Sequence, residues 1–287
     1  MAWTFTDDVA AYGAAAGGLL SSEPERHTVL LSVLATLTSR GPTAFGPVAP
    51  LLGWWSDGET VTAAVLRTPP YPLLTTSLDG RPAAELAAVL AGRGTVLSGI
   101  NGAEPDAAAF AQAWRDVTGR QGRALQRQRL YRLGKLIPPN PAPPGAARVA
   151  TGGDTAIARS WHSAFAAEAG QEDTPLGMIE NRLGAGQLML WETAGEPASM
   201  AGMTDVINGT ARIGPVYTPP SLRGCGYGGG VTAAITALAR DRGAASVVLF
   251  TDLANPTSNS LYLRLGYEPV EDRVVITFEG SPRGPGY

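Results

Sequence analysis

The sequence predicts a mixed α/β (α+β) protein of two halves, in which helices alternate with short β-strands. The length of 287 residues fits two medium-sized domains. A proline-rich stretch from Pro138 to Gly145 separates the halves. We expect an extended linker there, because proline removes backbone donors and disfavours helix. Helix-type and strand-type runs follow in a similar order on both sides of it.

The first half, residues 1–137, predicts helices and strands in alternation. Ser22 and Glu25 have the spacing of a capping box, so a helix is predicted from about Ser22 to Leu37. The later elements are, in order, strands Pro50–Trp55, Thr60–Leu66 and Leu73–Thr76, a helix Ala83–Leu90, a strand Thr95–Ile100, a helix carrying Phe110, Trp114 and Val117, and a strand Leu125–Leu136.

The second half, residues 147–279, reads similarly, and a flexible tail is expected at 280–287 after it. Its predicted elements are strand Ala147–Ala150, a helix carrying Ile157 and Trp161, a short helix Leu176–Leu183, strands Leu188–Glu192, Ala198–Val206 and Thr210–Tyr217, helix Tyr227–Arg242, strand Ser246–Thr251, helix Pro256–Leu265, and strands Tyr267–Val270 and Arg273–Phe278. The domain prediction is therefore 1–137, a linker 138–146, and 147–279.

Composition narrows the class of protein. Hydrophobic residues make up 44% of the chain, which is enough for real cores and argues against disorder. The formal net charge of -3 gives no basic footprint, so nucleic acid is not expected as a partner. No apolar run reaches the roughly 18 residues of a membrane helix, and no signal-peptide pattern begins the chain. With a single cysteine no intramolecular disulfide can form, which fits a cytoplasmic protein.

A glycine-rich segment between a predicted strand and helix carries the strongest local signal. Residues 216–230 read VYTPPSLRGCGYGGG. Glycine lets the backbone approach a ligand closely, and successive amides at a helix start form an anion pocket. The alternative is a tight turn whose glycines serve packing. No Gly-Lys-Ser/Thr follows, so this is no Walker loop, and it lacks the Gly-x-Gly-x-x-Gly of a dinucleotide fold.

Two motifs in this half resemble one family. Arg223, Gly226 and Gly228 fill the pattern Arg-x-x-Gly-x-Gly, which resembles the pyrophosphate-binding motif of the GNAT superfamily of acetyl-CoA-dependent N-acyltransferases. Its closing helix usually reads Asn-x-x-Ala, three residues, Tyr, three residues, then Gly-Phe/Tyr. Those places are taken here by Asn255, Ser258, Tyr262, Gly266 and Tyr267. The resemblance covers roughly Ala147–Phe278.

The resemblance implies a fold, a reaction and a binding site. The fold would be two GNAT-like domains, each a mixed, mostly antiparallel twisted sheet flanked by helices. The cosubstrate would be acetyl-CoA, without a metal. Backbone groups of Val216, Tyr217 and Thr218 would pair with the pantetheine arm. The pyrophosphate and neighbouring cofactor contacts would come from Arg223, Gly224, Cys225, Gly226, Tyr227, Gly228, Gly229, Asn255 and Ser258.

Tyr262 would protonate the departing CoA thiolate by the same resemblance, although a half-buried core aromatic explains it as well. The general base stays unassigned, because residues 211–215 contain no glutamate. Four remote carboxylates are candidates, each also consistent with a solvated surface charge: Asp252, Glu168, Glu172 and Asp205. Cys225 is disfavoured as a nucleophile because of its place among the phosphate-binding amides.

Other residues keep two interpretations. Trp161, Phe165 and Trp191 either wall an acceptor cleft or pack in the core, and His162 could face that cleft or be structural. The first half lacks the motif. Its segment Gly99–Pro105, taken as the equivalent place, keeps a turn without Arg-x-x-Gly-x-Gly, and its Glu104 would repel a pyrophosphate.

The predicted function is therefore transfer of an acetyl or short acyl group from CoA to a primary amine in a ternary complex. The acceptor would be a small molecule or a peptide, with no membrane partner. A non-catalytic sensor or scaffold that binds acyl-CoA is the alternative. The chain resembles a tandem-domain GNAT protein with one working half and one degenerate N-terminal half.

Overall fold

The computed structural model describes residues 1–170 and 177–280. The chain forms two compact units: unit 1 comprises Met1–Arg129 and Glu271–Tyr287, and unit 2 comprises Leu130–Val270. In both halves of the chain a strand is followed by two α-helices, three strands, a helix, a strand, a helix and a last strand. The predicted fold class, mixed and mostly antiparallel strand pairing flanked by helices in each unit, is confirmed.

Unit 1 contains a mainly antiparallel sheet. Its elements are β1 Ala2–Thr6, α1 Val9–Ser22, α2 Thr28–Arg40, β2 Leu51–Asp57, β3 Thr60–Arg67, β4 Leu73–Thr75, α3 Arg81–Gly92, β5 Gly99–Ala103, α4 Glu104–Thr118 and the start of β6 Gly122–Leu133. Strands β1 to β4 pair antiparallel in chain order, and β4 pairs with β5 in parallel. Phe110 and Trp114 stack within its core, with ring centroids 6.0 Å apart.

The helix predicted over Ser22–Leu37 is two helices. α1 ends at Ser22, whose hydroxyl donates to the Leu19 carbonyl at 2.7 Å instead of capping a following helix. α2 starts at Thr28, directly after His27. Neither β1 nor α1 was predicted, because the alanine- and glycine-rich run that forms α1 has little apolar periodicity.

Unit 2 repeats this order. Its elements are β7 Ala146–Val149, α5 Thr155–Glu168, α6 Met178–Gly184, β8 Leu188–Thr193, β9 Glu196–Met203, β10 Thr210–Tyr217, α7 Tyr227–Asp241, β11 Ser246–Asp252, α8 Pro256–Arg264 and the start of β12 Tyr267–Phe278. The predicted helix from Leu176 corresponds to α6, with Leu176 itself outside the described residues. The two strands predicted at the C-terminal end are one continuous strand, β12.

The sheet of unit 2 has two distinct faces. Strands β7 to β10 pair antiparallel in order, and β10 pairs with β11 in parallel. Ile213 of β10 shares a core with Val231 of α7, which defines the α7 face. Met200 of β9 shares a core with Ile179 of α6, which defines the α5/α6 face. Because side chains alternate along a strand, each strand residue can be assigned to one of these faces.

The units differ in their bounds from the predicted domains 1–137 and 147–279. β6 passes into unit 2 after Arg129, and β12 passes into unit 1 after Val270. The last strand of each half thus contributes to both units, which no local sequence pattern indicates. The predicted flexible tail lies outside the described residues from 281 onward.

Two further findings concern the described residues as a whole. None of the helices within 1–170 and 177–280 combines the length and apolarity needed to cross a bilayer. Over the same residues, no cluster of three or more His, Cys, Asp or Glu side chains is arranged to hold a metal ion.

Candidate functional site

Strands β10 and β11 are joined along only part of their length. They pair in parallel from Thr210 with Ser246 to Ile213 with Leu249. β10 continues to Tyr217, and no further pair joins it to β11 within the described part of the chain. A register irregularity in the pairing of β10 with β9 begins at the same point, after Ile213. The edge of β10 beyond Ile213 therefore offers backbone groups with which an extended ligand can pair.

The loop from β10 to α7 bends at two glycines. Gly224 and Gly226 have φ angles of 80° and 84°, which L side chains rarely adopt. α7 begins at Tyr227, and the Gly230 amide donates to the Gly226 carbonyl at 3.0 Å. The amides of 227–229 precede that bond, so no carbonyl inside the helix can accept from them. A helix start with free amides of this kind is suited to binding an anion.

Part of the segment predicted as a linker, 138–146, lies against this turn. A Cβ on Gly230 would lie 3.0 Å from Pro143 Cγ and 2.8 Å from the ring of Trp191. Trp191 donates from Nε1 to the Pro144 carbonyl at 2.8 Å. Trp191 therefore packs in the core beside α7, and the proline segment supports the glycine-rich turn, a role that the linker prediction did not include.

A buried hydroxyl fixes the end of β10. Ser199 of β9 is fully buried and donates from Oγ to the Tyr217 carbonyl at 2.9 Å. Its Oγ also lies 2.8 Å from Thr218 Oγ1. A Cβ on Gly228 would lie 3.3 Å from that same Thr218 oxygen. Three of the predicted cofactor residues, Tyr217, Thr218 and Gly228, thus lie together around the Ser199 hydroxyl. Sequence reasoning missed Ser199, because a lone serine in an apolar strand carries no local signal.

Arg223 is bound by protein acceptors. Its Nε donates to the Thr218 carbonyl at 2.9 Å, and its Nη2 donates to both carboxylate oxygens of Glu168 at 2.8 and 2.7 Å. Both side chains of the ion pair are 48% exposed, so it contributes about 1 kcal/mol at most. If Arg223 contacts a pyrophosphate, its guanidinium must bind both that group and Glu168. Glu168, one of the four candidate carboxylates, is here the ion-pair partner of Arg223.

A capped first turn orients α8. Asn255 accepts from the Ser258 amide through Oδ1 at 3.0 Å, so its N-cap role is direct. Asn259 donates from Nδ2 to the carbonyls of Asp252 and Asn255 at 2.8 and 2.7 Å. The hydroxyl of Tyr131 on β6 donates to Asn259 Oδ1 at 3.0 Å. Sequence reasoning missed both of these residues, although Asn259 follows Asn255 by one helical turn.

Tyr262 lies in the core cluster of unit 2. Its side chain is 7% exposed and shares that cluster with Tyr227 of α7, while Val216 of β10 packs against it. Its ring meets the edge of Tyr267 at a centroid distance of 6.1 Å. Burial raises the pKa of Tyr262 to about 12, so the hydroxyl keeps its proton at neutral pH. The fold thus brings together one predicted residue each from β10, α7 and α8.

The remaining candidates occupy varied positions. Cys225 is exposed, with Sγ 3.8 Å from the Arg223 carbonyl. Asp252, at the end of β11, accepts from the Ala254 amide at 2.8 Å, and Asp205 accepts from Gln187 at 2.5 Å. Glu172 lies outside the described residues.

Aromatic side chains of α5 border the end of β10. The rings of Trp161 and Tyr217 lie 6.2 Å apart, which places both on the α5/α6 face. His162 is 8% exposed and Phe165 is partly buried on the same helix. Trp161 therefore stands beside the open edge of β10, whereas Trp191 belongs to the opposite, α7 face.

In the described residues of unit 1, the corresponding loop differs from this one. The corresponding segment is 76–80, between β4 and α3, and it contains Asp79 but no arginine. The segment predicted as the equivalent turn, Gly99–Pro105, is instead strand β5 and the first two residues of α4. A Cβ on Gly99 would lie 2.2 Å from the Ile276 carbonyl, so glycine there allows β12 to approach closely.

Comparison with known proteins agrees with this geometry. Residues 155–267 match the model of the acetyltransferase (GNAT) family. The second half of the chain contains a GNAT domain. This range spans the open edge of β10, the glycine-rich turn and the capped helix α8. No curated protein sequence matches the chain significantly.

Solved structures extend the likeness beyond the GNAT domain. A GCN5-related N-acetyltransferase from Sphaerobacter thermophilus aligns over 99% of this chain and 97% of its own, with a TM-score of 0.60 and 16% identity. A GNAT-family acetyltransferase from Colwellia psychrerythraea aligns over 97% and 99%, with a TM-score of 0.57 and 12% identity. A GCN5-related N-acetyltransferase from Kribbella flavida aligns over 76% and 87%, with a TM-score of 0.55 and 20% identity. The likeness covers both units, so the chain consists of two GNAT-like domains.

Proposed function

We propose that the GNAT domain of unit 2 transfers an acetyl or short acyl group from acyl-CoA to a primary amine. The observation that carries this proposal is the open edge of β10 next to the anion-binding start of α7. An acyl-CoA has an extended amide-bearing arm and a pyrophosphate, which match these two features in order. The two features together match fewer kinds of ligand than either of them alone.

The described residues fit such a cosubstrate. The backbone of Val216, Tyr217 and Thr218 is available for pairing at the open edge, and Ser199 holds Tyr217 and Thr218 in place. The amides of 227–229 are free donors in the first turn of α7, and with those of 224–226 they would meet the pyrophosphate. Asn255 and Ser258 fix the start of α8, and any contact of theirs with the cosubstrate is secondary to that cap.

The bound acyl-CoA would supply an activated thioester. The protein holds the acceptor amine against it, so that attack becomes effectively intramolecular. Burial raises the pKa of Tyr262 to about 12, so its hydroxyl still carries its proton at neutral pH when the thiolate departs. Proton removal from the amine is left to a water path, because β10 carries Arg212 and no carboxylate on its α5/α6 face between 210 and 217.

Unit 1 would bind no CoA. A cleft of about 550 Å³ lies at the start of α4, and its carboxylates are Glu104, Asp106, Glu271 and Asp272. Burial raises the pKa of Asp106. Arginines already pair with Glu104, Glu271 and Asp272 in this cleft. The loop between β4 and α3 contains no arginine, so unit 1 is proposed to support the fold rather than the chemistry.

A panel of amines tests the proposal. Full-length protein with acetyl-CoA is offered small amines, peptides and aminoglycosides, and CoA release is measured. Turnover on one class supports the transferase. Tight acetyl-CoA binding with no release on any member would replace it with the sensor alternative.

A further inference from the structure

Two arginines lie together on the α5/α6 face of unit 2. Ala211 and Ile213 of β10 belong to the core beneath α7, so Arg212 between them points to the opposite face. Arg182 of α6 reaches the same face, where its Nη1 donates to the Gly214 carbonyl at 3.1 Å. Gly214 lies just beyond the last pair of β10 with β11. The arginines therefore stand beside the point where the open edge begins.

The neighbouring strand makes room for the Arg182 guanidinium. Gly202 of β9 lies beneath it, and a Cβ there would come within 3.0 Å of Arg182 Nη1 and 3.0 Å of the Gly214 carbonyl. Any larger residue at Gly202 would displace the guanidinium from the sheet. The geometry holds a cation flat against the strands, where a mobile surface arginine would instead extend into water.

Both arginines keep their positive charge at neutral pH, although burial disfavours that charge. Burial lowers the pKa of Arg182 to about 10. Burial also lowers the pKa of Arg212 to about 10, and the positive charge of Arg182 adds to that effect. Both guanidinium groups remain protonated at neutral pH. Two like charges held side by side attract an anionic ligand.

Several arginines of the described residues pair with carboxylates, and Arg182 does not. Arg148 pairs with Asp154 and Glu192, and Arg129 pairs with Asp272. Within residues 1–170 and 177–280, no carboxylate lies within ion-pair distance of Arg182, whose recorded acceptor is a backbone carbonyl. A carbonyl uses one of the five N–H donors of a guanidinium, so donors remain for an oxyanion.

The acceptor would approach from this face. α7 covers the opposite face of the sheet, where the core of unit 2 is filled. Trp161 and Tyr217 border the open edge on the α5/α6 side, which is the face on which Arg182 and Arg212 lie. An amine arriving at the open edge from that side passes the guanidinium groups.

We propose that the acceptor carries an anionic oxygen group, a carboxylate or a phosphate, next to its amine, and that Arg182 and Arg212 bind this group. The inference rests on the proposed function, of which it names the substrate class. Carboxylate and phosphate share the bidentate geometry that guanidinium recognises, and matched substrates separate them.

The test compares amines that differ only in the anion. Phosphoethanolamine is set against ethanolamine, and γ-aminobutyrate against butylamine, with acetyl-CoA and the full chain. The expected result is a higher kcat/KM for at least one anionic member, lost by about 30-fold or more in Arg182→Met and Arg212→Met with little change for its neutral partner. Arg240→Met, an exposed arginine at the end of α7, removes the same charge and should behave as wild type.

Calorimetry tests the proposed anion site separately from the proposed transferase activity. Binding of phosphoethanolamine and γ-aminobutyrate is measured with CoA present, so the anion site is tested even without turnover. Binding to wild type and Arg240→Met but not to Arg182→Met supports the site. Neutral amines accepted as well as anionic ones overturn the inference and leave the transferase standing. No binding of either anion, or equal binding by Arg182→Met, overturns it too. If Arg182→Met does not fold, Arg182→Lys and Arg212→Met decide by the same measurements.

Discussion

The segments that join strand to helix after β10 and after β4 occupy the same place in two similar units, and they differ in length and charge. The first is 218–226 and has Arg223 with two positive-φ glycines. The second is 76–80 and has Asp79 with one such glycine, Gly80 at a φ of 57°. The same topology can therefore carry loops of different length and charge, while the packed elements remain.

The strands before these loops, β10 in unit 2 and β4 in unit 1, also differ. β10 runs on to Tyr217 after its last pair with β11 at Ile213, whereas β4 ends at Thr75, directly after its last pair through Leu74. Thr76 already bonds back to β3, since its amide donates to the Ala64 carbonyl at 3.0 Å. An open edge and a cationic loop are present together in unit 2 and missing together from the described residues of unit 1.

The largest effect is expected at the helix start. Gly226→Val should weaken acetyl-CoA binding about 100-fold or more, because a Cβ at a φ of 84° moves the amides that would meet the phosphates. Gly80→Val is the matched control, with a similar helix-start glycine in unit 1 and a similar strain of about 1–2 kcal/mol. Calorimetric titration of both proteins measures the contrast. Equal affinities in the two folded variants would remove the pyrophosphate assignment.

The second effect concerns the proton donor. Tyr262→Phe should lower kcat by about 10²–10⁴-fold with little change in the CoA dissociation constant. Because burial raises the pKa of Tyr262 to about 12, the donor stays protonated, and wild-type kcat should not fall up to about pH 10 through loss of this proton. The measurement is a pH profile of kcat under conditions where chemistry limits the rate.

Tyr267→Phe provides its control. The Tyr267 hydroxyl lies 2.6 Å from Thr236 Oγ1, so its removal should cost about 1 kcal/mol of stability and leave kcat near wild type. Normal turnover in Tyr262→Phe, or an equal loss in both variants, would show that Tyr262 is a core residue only.

A smaller effect is expected on stability, from side-chain packing at the start of α7. Gly230 is the fourth residue of α7, and its Cβ would lie 2.8 Å from the Trp191 ring, so Gly230→Ala should destabilise the protein by about 1–3 kcal/mol. The fourth residue of α3 is the exposed Ala84, and Ala84→Leu should change stability by about 0.5 kcal/mol or less. Urea unfolding of both variants gives the comparison. A neutral Gly230→Ala would mean that the first turn of α7 can shift.

The smallest effect tests the ion pair of the loop. Glu168→Gln should leave Arg223 without its carboxylate and tighten acetyl-CoA binding by about 2- to 5-fold at low salt, and less at high salt. Glu180→Gln, which removes the partner of Arg159 on the neighbouring helix, should leave the affinity unchanged. Weaker binding in Glu168→Gln would indicate that Glu168 positions Arg223 for the cofactor.

Much of this arrangement can be predicted from local sequence patterns. The apolar periodicity of α7, the turn motif at 223–228 and the spacing from Asn255 to Tyr267 all depend on residues close in sequence, and these predicted the fold of unit 2. Long-range partners carry no such pattern. The bond of Tyr131 to Asn259, the hydroxyl of Ser199, the contact of Pro143 with Gly230 and the passage of β6 between units depend on tertiary packing.

A calorimetric titration of the full chain with acetyl-CoA tests the central claim, that one of the two similar units binds the cosubstrate. The account predicts one site per chain, lost in Gly226→Val and retained in Gly80→Val. Two sites per chain, or a single site that survives Gly226→Val and disappears in Gly80→Val, would contradict it.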